Sequence, residues 1–131
     1  MSPENTRALI DIYPELFSEL DPRSCMRLFG FECGNGWFEL LKDLITEIKA
    51  ICDRGNLVSC IGLDDEPSQP KVNQVKEKYG ALRFYMNWTT DAIEEAIDKA
   101  EDRSSVTCER CGVPGELRKL GGYWYVTYCD D

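Results

Sequence analysis

The strongest constraint on this chain is a trio of cysteines near its end: Cys108-Glu109-Arg110-Cys111-Gly112, then Cys129 after 17 intervening residues. A C-x2-C pair followed by glycine makes a tight turn that aims backbone N–H groups at sulfur, and the glycine relieves the crowding. The third thiol closes the aromatic strand expected from Tyr123 to Tyr128, just past the turn residues Gly121 and Gly122. This spacing fits a zinc ribbon or a treble-clef-like hairpin with Cys108, Cys111 and Cys129 as ligands. A closed tetrahedral site needs a fourth donor. The candidates are Asp130, Asp131, the terminal carboxylate, a cysteine of the main body, or water. The competing reading is a hairpin whose cysteines only pack. A thioredoxin-like redox use of C-x2-C would need a preceding βαβ pattern, and the sequence shows none.

Histidine is absent from all 131 residues. Its absence excludes Ser-His and Cys-His nucleophile pairs, histidine-ligated zinc hydrolases and a histidine pH switch. Any zinc must therefore sit on sulfur and carboxylate, and the sequence assigns no catalytic residue. Of the four other cysteines, Cys25, Cys33, Cys52 and Cys60, the last three divide by context. Cys52 continues the apolar series Leu41, Ile45, Ile48, and Cys60 lies in an apolar run, so both read as core. Cys33 occupies the Gly-rich turn Phe31-Glu32-Cys33-Gly34-Asn35-Gly36 ahead of a helix, where a dipole would stabilise its thiolate, making it a candidate functional thiol. The N-terminal stretch carries acids where a signal peptide carries bases, and no apolar run reaches membrane-spanning length. The expectation is a cytoplasmic protein whose cysteines stay reduced.

Apolar periodicity sets the remaining elements. Ser2-Pro3 opens a helix with Leu9, Ile12, Tyr13 and Leu16 on one face, and Pro14 interrupts it. Glu19 to Asn35 reads as an irregular connection anchored by Leu28, Phe29 and Phe31. Trp37, Leu41, Leu44, Ile48 and Ile51 mark a long helix ending near Asp53, with Gly55 as its cap. Leu57 to Leu63 reads as a strand, and Asp64 to Pro70 as an exposed acidic loop. Residues 72–79 also carry helical spacing, but Gly80-Ala81 suits a type II′ turn, and Leu82, Phe84, Met86 and Trp88 alternate. A hairpin of Val75–Tyr79 with Leu82–Met86 follows. It puts Lys76, Lys78, Arg83 and Tyr85 on one face as a candidate interaction patch. Asp91 and Glu94 form a capping box for a helix to about Arg103. The predicted fold is α+β, with helices packed on a small antiparallel sheet and a C-terminal zinc-ribbon-like hairpin. Its body spans residues 1–106, and a module of residues 107–131 docks on the helix from Asp91.

Acids outnumber bases 24 to 15. The excess belongs to the body, since residues 107–131 hold three bases and four acids. An acidic surface disfavours general coating of duplex DNA and suits a partner of complementary potential, such as the protein walls of a basic nucleic-acid channel.

Several stretches resemble a group of small proteins encoded by bacteriophages and prophages, to which no activity is attached. They are PENTRALIDIYPELF, FECGNGWFELLKDLITEIKA, QVKEKYGALRFYM and CERCGVPGELRKLGGYWYVTYCD, covering most of Pro3 to Asp130. The most specific motifs are Cys33-Gly34-Asn35-Gly36-Trp37 and Lys76-Glu77-Lys78-Tyr79-Gly80 with Leu82-Arg83-Phe84-Tyr85. The resemblance implies a histidine soon after the last cysteine, completing a Cys3His zinc site, and this chain departs from that pattern. It also implies a host bacterial cytoplasm.

Together these features lead to the expectation of a non-catalytic, zinc-binding interaction protein with a protein partner, inhibiting a host defence or nucleic-acid-processing system. The alternative is a nucleic-acid-binding module using Arg110, Arg118 and Lys119, or the central hairpin. A third, catalytic reading would use Cys33 as nucleophile or an open zinc position as Lewis acid.

Overall fold

The computed structural model of the chain describes residues 1–54 and 70–130. The expected strand Leu57–Leu63, the Gly55 cap, most of the acidic loop, Cys60 and Asp131 lie outside them. The chain is α+β. Helix α1 spans Pro3–Ile12, with the Ser2 hydroxyl accepting the Asn5 N–H at 3.2 Å and Pro3 in the first turn, where no N–H is needed. Pro14 ends this run as expected and starts a 3-10 turn that buries Leu16. Helix α2, Cys25–Phe29, leads into the two-residue strand β1, Phe31–Glu32. The expected anchors of this connection are corrected here. Leu28 and Phe29 are 59% and 65% exposed, while Met26 and Phe31 are buried. A helical turn that aims Met26 inward puts Leu28 on its opposite side, and Phe29 is the last residue before the chain turns away at Gly30.

Helix α3, Phe38–Asp53, follows a 3-10 turn at Asn35–Trp37 that buries Trp37, and itself buries Leu41, Leu44, Ile45 and Ile48. Strands β2 (Val72–Lys78) and β3 (Ala81–Met86) pair antiparallel, and β1 joins β2 in parallel. The sheet is therefore mixed, where the sequence predicts an antiparallel one. A parallel neighbour requires a crossover, and α3 lies between β1 and β2 in the chain.

The hairpin forms over the expected residues, but its turn is Tyr79-Gly80 rather than Gly80-Ala81. Lys78 pairs with Ala81, and the two linking residues have φ of 53° and 84°. Positive φ at both positions defines a type I′ turn, whose twist matches that of the strands. Tyrosine at positive φ costs about 1 kcal/mol. Offsetting contacts come from Glu77, whose carboxylate accepts the Gly80 N–H at 2.6 Å, and from Tyr125, edge-to-face with Tyr79 at 6.4 Å.

Helix α4, Asp91–Ser104, is capped by Thr90, whose hydroxyl accepts the Ile93 N–H at 3.1 Å. The cap is one residue earlier than expected, and Glu94 instead accepts a hydrogen bond from the Thr89 hydroxyl at 2.6 Å. Two side chains of α4 satisfy the outer edge of β3. Ser104 Oγ accepts the Leu82 N–H at 2.8 Å and Glu101 accepts that of Phe84 at 3.3 Å. An edge strand with its donors occupied resists pairing with other chains. Strands β4 (Glu116–Gly121) and β5 (Trp124–Tyr128) form a separate antiparallel pair.

Candidate metal centre

Residues 107–130 seat on two turns of the body rather than on the flank of α4. The Gly36 N–H donates to the Glu109 carbonyl at 2.7 Å, and the Gly34 N–H to the Glu109 carboxylate at 2.9 Å. The Trp37 indole donates to the Thr107 carbonyl at 2.9 Å, and the buried Thr127 hydroxyl to the Gly80 carbonyl at 2.6 Å. A Cβ on Gly36 would collide with the backbone of Cys108 and Glu109, and one on Gly34 with the Glu109 carbonyl. The glycines of Cys33-Gly34-Asn35-Gly36-Trp37 are thus there for close approach of one backbone to another.

That seating fixes the turn carrying two of the thiols. Gly112, at φ +85°, donates its N–H to the Cys108 carbonyl at 2.9 Å and bends the chain back. The Glu109 N–H reaches the Thr127 carbonyl at 3.0 Å, tying the turn to β5 and so to Cys129. The outcome is that Cys108, Cys111 and Cys129 converge, with all three sulfurs within 4.8 Å of one another. The Cys111 and Cys129 sulfurs are 3.6 Å apart, well beyond the ~2.05 Å of a disulfide. Cys108 is buried and Cys111 exposed, so the cluster opens to solvent on one side.

Electrostatics favours ionised sulfur at the inner position. Burial opposes ionisation of Cys108, but the N–H groups of Cys129, Cys111 and Arg110, helped by the Cys111 thiol, outweigh it and bring the pKa down to about 6. At Cys111 the Val113 N–H acts in the same sense, yet hydrogen bonding to the other two sulfurs prevails and raises the value. One ready thiolate beside two further cysteine sulfurs is the donor set of a soft or borderline metal ion. These three residues can hold a metal ion.

Asp130 is not part of this set. Its carboxylate takes the Arg118 guanidinium at 2.5 Å, and Arg118 also donates to the Tyr128 carbonyl at 3.2 Å. Arg110 stacks over the Tyr128 ring at 4.0 Å. Cys33 departs from the expected thiolate. It is 7% exposed, and burial, with the Glu109 carboxylate adding to it, pushes its thiol up to about 12. Cys52 is half-buried against the core, and burial raises its pKa too.

On the central hairpin, Lys76 pairs with Arg83 and Gln74 with Tyr85, so the expected face exists. Glu32 lies beside Lys76 in the parallel register and interrupts its positive charge. A second grouping was not read from the sequence. Lys78 sits over the Tyr79 ring at 5.7 Å, Lys119 over Tyr125 at 5.9 Å, and the two rings touch. The signal was the aromatic strand itself, but its partner across 46 residues could not be seen without the register.

No family model, curated protein or solved structure matches this chain. Among the described residues no helix is long and apolar enough to cross a membrane.

Proposed function

We propose that Cys108, Cys111 and Cys129 hold a structural zinc ion in a ribbon-like hairpin, and that the chain is a non-catalytic binding protein of bacteriophage type. The observation that carries this reading is the convergence of three sulfurs on a turn that is itself bonded to the body. Zinc–sulfur bonds of about 2.3 Å in a tetrahedron separate sulfurs by about 3.8 Å, close to the 3.6 Å between Cys111 and Cys129. Bound there, zinc supplies folding free energy by clamping the turn to β5. The mostly sulfur ligand set suits a structural site.

The partner is a host or phage protein that presents basic surface. The outer face of α4 offers Glu94, Glu95, Asp98 and Asp102 toward it, as an inhibitor of a defence or nucleic-acid-processing system would do. Elemental analysis should find about one zinc per chain, and X-ray absorption should count three sulfurs and one lighter donor. Metal-free protein, with Cys108→Ser and Cys129→Ser variants melting like the wild type, would end the zinc reading. Tagged protein should co-purify one stoichiometric protein from bacterial lysate, and the complex should re-form from purified components. Recovery of nucleic acid alone would end the protein-partner reading. A nucleic-acid reading has one observation in its favour, the lysine and tyrosine grouping at the Tyr79 turn.

A further inference from the structure

We infer that the pole formed by the Tyr79-Gly80 turn and the β4–β5 hairpin is a docking surface for single-stranded nucleic acid, with tyrosines stacking on bases and Lys78 and Lys119 meeting phosphates. The inference rests on the reading of the chain as a binding protein and concerns a surface other than the acidic face of α4.

The aromatic surface here is unusual in amount. Tyr79 is 58% exposed, Tyr123 is 88% and Trp124 is 63%. Rings this exposed add nothing to the core, and flat π-faces are what unpaired bases stack on. Each tyrosine of the Tyr79–Tyr125 pair carries a lysine ammonium near its ring, at 5.7 Å and 5.9 Å. Both lysines are exposed, and neither is in an ion pair with a described carboxylate.

Charge follows the same line. Within residues 110–128 there are three bases and one acid, in a chain whose net charge is −9. With Arg118 paired to Asp130, it is Lys78 and Lys119 that bring unbridged positive charge beside these exposed rings. The platform is also held in place: Thr127 donates to the Gly80 carbonyl at 2.6 Å, and Tyr79 is fixed by its turn. Pre-ordered side chains lose little freedom on binding.

Single strands fit better than duplex. Two to four cations release too few counterions to hold a duplex by its phosphates, while ring faces reach bases only when the bases are unpaired. An acidic peptide would use the lysines but leave the rings idle.

The test is fluorescence anisotropy of labelled single-stranded oligothymidine with the zinc-loaded full chain. Binding should appear at about 50 mM salt and weaken about sevenfold by about 200 mM, the dependence for two phosphate contacts on a single strand. Tyr123→Ala, at a site too exposed to support the fold, should weaken binding about tenfold with Tm unchanged. Lys119→Glu should weaken it and flatten the salt dependence, and a hairpin duplex should bind at least tenfold less tightly. Absence of binding at low salt, equal affinity for duplex, an unaltered affinity in Tyr123→Ala, or equal competition by polyglutamate would each overturn the inference. The assay contains no second protein, so its failure is separate from failure to recover a protein partner.

Discussion

Replacing Gly36 by alanine should unseat the C-terminal module. The added Cβ would meet the Cys108 carbonyl oxygen and the Glu109 carbonyl group, all backbone atoms of a tight turn, so no flexible side chain can move aside. Relief requires the turn to withdraw, which lengthens the 2.7 Å bond from Gly36 N–H to Glu109 and disturbs the 2.9 Å bond from Gly34 N–H. Forced overpacking costs about 1–3 kcal/mol and a weakened hydrogen bond about 1 kcal/mol, giving roughly 2–4 kcal/mol. For a chain of this size 1 kcal/mol moves Tm by about 4 °C, so the variant should melt about 8–16 °C lower. Differential scanning calorimetry of the purified protein measures this directly. Gly122→Ala provides the contrast: no atom lies within 4 Å of its Cβ, and only its φ of +54° opposes a side chain. It should cost about 1 kcal/mol. If Gly36→Ala melted within a degree or so of the wild type, or no lower than Gly122→Ala, the close approach would not be what holds the module.

Brief alkylation near pH 8 followed by peptide mapping should label exposed Cys111 in metal-free protein and spare Cys33, whose thiol is raised to about 12. Early labelling of Cys33 would contradict its burial. Ser104→Ala leaves the buried Leu82 N–H without its acceptor and should destabilise by about 1–3 kcal/mol in chemical denaturation. A change below ~0.5 kcal/mol would mean the edge of β3 does not depend on α4. Burial chiefly raises the Glu101 pKa, although the Phe84 N–H opposes it. The folded state therefore holds the Glu101 proton more tightly than the unfolded state does. Stability from this group is present below the ordinary glutamate value of about 4.3 and is lost as pH rises through the raised folded value. Glu101→Gln keeps an oxygen for Phe84, so its Tm relative to wild type should improve from pH 4 to pH 7. A constant difference would refute the assignment.

Local pattern carried the sequence reading wherever neighbours in space are neighbours in the chain. The apolar stripe Ile93, Ala96, Ile97, Ala100 and the alternation Leu82, Phe84 place α4 and β3 correctly because helix and strand periods are local. The turn at Tyr79-Gly80 was misread since tyrosine rarely takes positive φ, and the contacts that offset its cost, from Glu77 and from distant Tyr125, show only in the fold. Leu28 and Phe29 look like anchors by composition, but which side of α2 faces inward is decided by β2, many residues away. The three sulfurs were legible from spacing alone. Their attachment to Gly34 and Gly36 was not, because nothing in a Gly-rich turn specifies what it must admit.

The bond between Gly34 and Glu109 joins residues 75 positions apart. A ribosome adding about 5–20 residues per second needs roughly 4–15 seconds to make that interval. For that time the Gly34–Trp37 turn has no backbone to receive, and the indole N–H of Trp37 has no Thr107 carbonyl. Seating of residues 107–130 therefore trails synthesis of the turn that receives it, and the nascent body must keep its glycine notch clear of other chains until then.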